Sequence, residues 1–194
     1  PREKLAILRR AIDGFTEAGY RYVGMDHFAK PGDELCRAQD AGNLYRNFQG
    51  YTTHAGCDLY AFGVSAIGQI GRTYAQNHKN IHEYETAIQT SGLAIQRGIR
   101  LADDDLLRRE VIMRLLCDFA LDPGAIGKKF NIDFPSYFSD ALQALAPMEA
   151  DALIRRENGK VIVTPTGRLL IRNICMPFDA YLKNKPGQKF SRTV

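Results

Sequence analysis

Leu153-Ile154-Arg155-Arg156-Glu157-Asn158-Gly159-Lys160-Val161-Ile162-Val163 is the stretch that decides how the second half of this chain folds. Alternating residues on both sides of Asn158-Gly159 read as a β-hairpin, because Asn-Gly tolerates the left-handed backbone of a type I′ turn. Upstream, Asp103 to Leu121 reads as a long helix led by three aspartates, which suit the positive end of a helix dipole. Asp122-Pro123-Gly124 breaks it, a short helix follows over Ala125 to Phe130, and another runs from Phe134 or Pro135 to Leu145. Downstream, Thr164-Pro165-Thr166-Gly167 starts a terminal helix through about Tyr181.

Three helices, a hairpin and a helix make a mostly helical, winged-helix-like domain over 102–194, with its hairpin near 153–163. Residues 1–101 have another rhythm. Lys4 to Ala18 is an amphipathic helix stopped by Gly19, and Arg21 to Phe28 reads as a strand closed by Pro31-Gly32. Asp33 caps a helix through Ala41, ended by Gly42. A loop carries Phe48 to Thr53, and the apolar, small-residue stretch Asp58 to Ile67 reads as a buried strand or a tight turn into the sheet. His78 to Ser91 is helical, with Gly92 after it, and Leu93 to Leu101 is a short strand or linker. Alternating helix and strand predicts an α/β barrel or open sheet, whose sites sit at the carboxyl ends of strands. Asp26-His27 and the Ser65-Ala66-Ile67 turn fall there.

At 194 residues the chain can bury a real core, and 45% hydrophobic with 25% charged residues is ordinary for a soluble globular protein. The net charge of +4 is shared evenly: 12 basic against 10 acidic residues through Leu101, and 14 against 12 afterwards. Charge alone therefore marks neither half as a polyanion binder. No apolar run approaches the ~18–20 residues of a membrane span, so a cytoplasmic protein is expected. The chain opens without methionine on Pro1-Arg2-Glu3-Lys4, which reads as a piece of a longer protein. Cys36, Cys57, Cys117 and Cys175 are too scattered for a local metal motif and read as free thiols, mostly buried. His78 and His82 could share a helix face, but a solvated helix start is the stronger reading of that pair. No metal site and no catalytic residue is assigned.

Three further blocks carry the chemistry: Gly24-Met25-Asp26-His27-Phe28-Ala29-Lys30-Pro31, Arg46-Asn47-Phe48-Gln49-Gly50-Tyr51-Thr52-Thr53 and Gly63-Val64-Ser65-Ala66-Ile67. With Arg168-Leu169-Leu170-Ile171-Arg172-Asn173-Ile174-Cys175 and the tail Phe190-Ser191-Arg192, they resemble the distal part of the oxygen-independent coproporphyrinogen III oxidases. These are radical S-adenosylmethionine (SAM) enzymes, and the resemblance runs along essentially the whole chain. It implies that 1–101 supplies strand and helix elements of a partial, TIM-like radical-SAM barrel. It also implies SAM and a [4Fe–4S] cluster as cofactors, with cluster cysteines in a CxxxCxxC run that this chain lacks. The implied reaction converts two propionates of coproporphyrinogen III to vinyls, giving protoporphyrinogen IX, through the radical made by reductive SAM cleavage. This chain by itself is expected to be inactive and monomeric.

By the same resemblance, Phe48, Gln49 and Ile67 bind SAM. An aromatic face, an amide and a glycine that permits close approach could grip a nucleoside. Without the resemblance, loop packing would be the better account of Phe48-Gln49-Gly50. Asp26-His27 could hold substrate or relay a proton, but a structural histidine explains the pair at least as well. Met25-Asp26-His27-Phe28 separates the chain from the related haem chaperones, which show Tyr-Glu-Ile-Ser-Asn-Phe-Ala there. Arg46, Arg72, Arg97 and Arg100 are candidates for propionate contacts, with surface solvation the simpler account of any one. The basic tail after Leu182 reads as extended, and its family match hints that it docks.

A winged-helix nucleic-acid module is the rival reading. Its recognition helix, Phe134 to Leu145, has no Lys or Arg and carries Asp140. Phosphate contacts dominate affinity for DNA, so no nucleic-acid partner is expected.

Overall fold

A computed structural model describes residues 2–183. Helix α1 (Arg2–Glu17) leads into strands β1 (Arg21–Gly24) and β2 (His27–Ala29), then α2 (Glu34–Asp40). The single strand expected over Arg21–Phe28 is in fact an antiparallel hairpin, folded at Met25-Asp26. Met25 accepts a positive φ there, and a bulge shifts the register between Tyr22 and Gly24. Asp33 caps α2, its Oδ1 accepting the Leu35 N–H at 2.9 Å.

Strands β3 (Tyr45–Arg46) and β4 (Tyr51–Thr52) form a second hairpin, so the expected Phe48–Thr53 loop is part of its turn, Phe48 to Gly50, followed by strand β4. Strands β5 (Ile67–Ile70), β6 (Thr73–Asn77) and β7 (Ile95–Arg100) form an antiparallel sheet in the order β5-β6-β7, with α3 (Ile81–Ser91) between β6 and β7. Asn80 caps α3, and Gly92 ends it in the left-handed conformation. The stretch Asp58–Ala66 is irregular apart from one bridge at Leu59 and is not a buried strand, Phe62 being 88% exposed; of the two readings the tight turn holds, at 63–65, leading into β5. Apolar composition signals burial only where a partner surface covers it.

Helix α4 (Asp103–Asp118) stops at Phe119, whose φ of 53° turns the chain into β8 (Ala120–Leu121). Then follow α5 (Pro123–Phe130), α6 (Phe134–Tyr137), α7 (Ser139–Ala144) and α8 (Ala146–Ala150). The single helix expected from Phe134 to Leu145 is thus two, broken at Phe138, whose ring turns into the core. The hairpin is as expected: β9 (Ile154–Glu157) pairs with β10 (Lys160–Val163), and Asn158 and Gly159 both take positive φ. Strand β8 extends it to a three-stranded sheet, a pairing that the helical reading through Leu121 concealed. The expected terminal helix is α9 (Pro165–Leu169), α10 (Ile171–Cys175), a 3-10 turn (Met176–Phe178) and α11 (Ala180–Lys183). The basic tail lies outside the described residues.

All ladders among the described residues are antiparallel, and no closed barrel forms. The alternation of helix and strand holds, but sequence shows where strands fall and not which strands they pair with. Two cores meet on α4. Its Leu107, Val111 and Leu115 join Phe134, Phe138, Leu145, Ile171 and Phe178 in the larger one. Its Met113 and Cys117 join Val23, Cys36, Leu44 and Tyr51 in the smaller. Polar bonds reinforce the joint: Gln39 Nε2 donates to the Val23 and Cys117 carbonyls, both at 2.9 Å, and Tyr51 Oη donates to the Leu116 carbonyl at 2.9 Å.

Candidate functional site

The β3–β4 turn is built to present Phe48 and Gln49. Asn47 Oδ1 accepts the N–H of Gln49 at 2.8 Å and of Gly50 at 3.2 Å, so the turn is held from inside. Gly50 lies at φ 143°, and a Cβ there would stand 2.6 Å from His27 Nε2. Only glycine allows the turn to close on that imidazole. His27 packs edge-on against Tyr51 and meets Asp26 Oδ1 through Nδ1 at 2.8 Å. The hairpin fold brings this adjacent acid and imidazole together and sets the imidazole against Gly50 and Tyr51.

Phe48 stands with its ring edge-on to Tyr74, centroids 5.0 Å apart, and Gln49 is exposed at the tip. Tyr74 pairs with Gln69 on β5 and Ile99 on β7, while Gln76 pairs with Ile67 and Arg97. Cross-strand partners and alternate residues share a face, so Ile67, Gln69, Tyr74, Gln76, Arg97 and Ile99 lie on one face of the sheet. Through Phe48 and Tyr74 the two sequence-predicted segments meet there. Ile67 opens β5 instead of ending a strand. Gln69 exchanges both backbone bonds with Leu59, on the side of β5 away from β6. Ile67 shares its parity, so its own N–H and C=O turn to that open side, where none of the described groups takes them.

Of the four candidate arginines, two reach this region. Arg97 donates to Gln76 Oε1 from Nε at 2.9 Å and Nη2 at 2.6 Å. Arg46 lines a cleft of about 310 Å³ with Phe48, Gln69, Tyr74, Met113 and Arg109. Arg72 is held at Asp103 (2.6 Å) and the Leu101 carbonyl, and Arg100 lies on the opposite sheet face from Ile99. Arg109 was not foreseen. Its i−4 neighbour Asp105 suggests a local ion pair, but Asp105 Oδ2 accepts the Ala102 N–H at 2.8 Å instead. Arg109 Nη1 donates to Tyr74 Oη at 3.2 Å. Burial opposes its charge, while Tyr74 favours it, and the balance lies above the ordinary arginine value.

His78 precedes α3 and pairs with Glu83 at 3.1 Å, so His78 and His82 do not share a helix face. Cys36, Cys117 and Cys175 are buried and Cys57 is exposed. Among the described residues no three His, Cys, Asp or Glu side chains gather where a metal could bind, so the donors for a [4Fe–4S] cluster are absent from them. No described helix is long and apolar enough to cross a membrane. On the rival's candidate helix, Phe134, Phe138, Ala141 and Leu145 are buried in the larger core.

Residues 101–170 match the family described as the HemN C-terminal domain. The chain is homologous to oxygen-independent coproporphyrinogen III oxidases. It is 50% identical over 194 residues to that of Pseudomonas aeruginosa, covering 100% of this chain and 42% of the relative. Against that of Thermostichus vulcanus it is 49% identical, over 98% of this chain and 59% of the relative. A solved structure, the Escherichia coli coproporphyrinogen III oxidase (HemN), described as a radical SAM enzyme, superposes with a TM-score of 0.86 at 49% identity. That match covers 93% of this chain and 42% of the other. The chain thus spans about two fifths to three fifths of the length of the relatives it matches.

Proposed function

We propose that this chain is the C-terminal portion of an oxygen-independent coproporphyrinogen III oxidase, which oxidatively decarboxylates two propionates of coproporphyrinogen III to vinyls. The observation that carries the reading is 50% identity sustained along the whole chain to a relative of that name. In the intact protein, residues 1–101 would contribute elements of the radical-SAM barrel, and 102–194 the winged-helix-like domain beside it.

SAM supplies the hydrogen-abstracting chemistry when bound. The sheet face suits it. Ile67 offers an apolar surface with its backbone N–H and C=O turned to the open side, as the edge of an adenine requires. Phe48 adds an aromatic wall and Gln49 an amide at the turn's tip. These residues bind and orient, and the larger core on α4 keeps their platform rigid. The cluster is not held by the described residues, so its ligands are to be sought in the rest of the intact protein.

The test is Ile67→Asp and Gln49→Ala in the intact enzyme. An aspartate at Ile67 sets a carboxylate against an apolar surface, a cost of several kcal/mol if unpaired. Gln49→Ala removes amide bonds of ~0.5–1.5 kcal/mol each. Both variants should retain the cluster's absorbance yet bind and cleave SAM poorly. Wild-type SAM affinity and product yield in both, with the fold intact, would reduce these residues to packing.

A further inference from the structure

Two guanidinium groups line the cleft beside the Phe48 turn without a carboxylate to hold among the described residues. Arg46 has its planar group 5.1 Å from the Tyr51 ring centroid, and its Nη1 is buried with no hydrogen-bond partner among the described residues. Arg109 reaches the same cleft from α4 and commits only one N–H, to Tyr74 Oη. A guanidinium has five N–H donors and does not lose its charge, so most of this capacity is unspent. Elsewhere on α4 the arginines are engaged: Arg108 holds Asp104 at 2.8 Å, and Arg114 holds Asp118 at 2.7 Å. Glu110, next to Arg109 in sequence, is taken by Arg114 and Lys129. No Asp or Glu lines the cleft.

A half-buried pair of unneutralised guanidinium groups demands an anion, and planar donors match a carboxylate. We propose that this cleft takes one propionate of the tetrapyrrole substrate, with Arg46 and Arg109 as its two partners. The inference rests on the functional reading above. SAM also carries a carboxylate, but beside an ammonium and a sulfonium. A cleft with two guanidinium groups and no acid repels those cations, whereas a propionate arm brings none. At about 310 Å³ the space is at the small end of ligand pockets, which suits an arm and not a whole macrocycle.

The experiment uses the intact anaerobic protein, with coproporphyrin III as a fluorescent probe, its tetramethyl ester as an uncharged control, and SAM titrated in parallel. Arg46→Gln and Arg109→Gln should each weaken coproporphyrin III about 10- to 100-fold, as expected for lost charge-assisted bonds, and leave the ester and SAM unchanged. Arg109→Lys, which keeps the charge, should lose less than Arg109→Gln. Circular dichroism melts identify any variant that merely misfolds, and because Arg46 also packs on Tyr51, Arg109 is the decisive position. Wild-type affinity for coproporphyrin III in folded Arg109→Gln would overturn the inference and leave the functional reading standing. Loss of SAM binding with porphyrin binding intact would assign the carboxylate to the cofactor and overturn it too. A wild-type protein that binds neither porphyrin would sink the functional reading itself.

Discussion

Residues 103–178 and residues 54–100 answer the demand for burial in opposite ways. The first region closes on itself: α4, α6, α7, the β8-β10-β9 sheet and α10 surround Phe134, Phe138 and Phe178, which interlock as tilted and edge-on rings. In the second region Ala94 is the one buried residue, and no side chain of α3 or β7 is buried. Tyr60, Phe62, Leu93 and Ile95 are all more than half exposed. The candidate site residues Phe48, Ile67, Gln69 and Arg97 belong to, or pack upon, this open region. A platform that closes on itself can hold such a sheet in place while leaving one of its faces to ligand.

The contrast is broken most directly by core truncation. Leu115→Ala or Phe134→Ala should cost about 3–5 kcal/mol in denaturant unfolding, whereas Ile99→Ala on the open sheet should cost under about 1. Equal costs would mean that the two regions are not differently packed.

Two glycines sharpen it further. A Cβ on Gly167 would run into the Leu153 carbonyl, with Val163 Cγ1 at 3.0 Å, so Gly167→Ala should destabilise by about 1–3 kcal/mol. Gly14 in α1 has nothing within 4 Å of its would-be Cβ, and Gly14→Ala should raise the melting point by an increment worth ~0.5–1 kcal/mol. The same sign for both would discount the closeness of the Gly167 contact.

The joint between the cores is next. Gln39→Ala removes two bonds and leaves the Val23 and Cys117 carbonyls unpaired, at a cost of about 1–3 kcal/mol. Hydrogen exchange should accelerate in β1 and at the end of α4, and leave β9–β10 as it was.

Smallest near neutral pH, where it vanishes, is a pH dependence that grows only in alkaline solution. Burial pushes the Cys117 and Cys175 thiols up to about 12. In the unfolded chain these thiols ionise near ~8.5, so above that pH the unfolded state releases protons that the folded state keeps. Their contribution is therefore whole below pH ~8.5 and is lost as pH rises toward 12, by at most ~1.4 kcal/mol per pH unit per thiol. Replacing both with serine or alanine should flatten the alkaline limb of a stability-against-pH curve. An unchanged limb would assign it to other groups.

Much of the self-closed region was legible in the residues, because its signals are local. Asn158-Gly159 sets its turn through a backbone preference that operates within a few residues, and outside that region Asp33, which caps α2, and Gly92, which ends α3, were legible for the same reason. The helix breaks at Phe138 and Leu170 were not legible, since rings and aliphatic chains turn there to reach a core assembled from distant segments. The open region was read less well. Strand β6 has little apolar content, and the Asp58–Ile67 stretch has much, yet the first is the centre of a sheet and no residue of the second is buried.

For the site, the residues themselves offered a glycine-bearing loop with an aromatic and an amide, and a pool of candidate arginines among which nothing local selects. Only the tertiary structure decided that Ile67 begins an edge strand, that Phe48 meets that sheet through Tyr74, and that Arg109, from a helix 63 positions beyond Arg46, shares its cleft. Turn and cap preferences depend on one residue's own dihedral angles and nearest neighbours. Strand pairing and the meeting of charges across a cleft depend on which remote surfaces bury one another, and no local pattern encodes that choice.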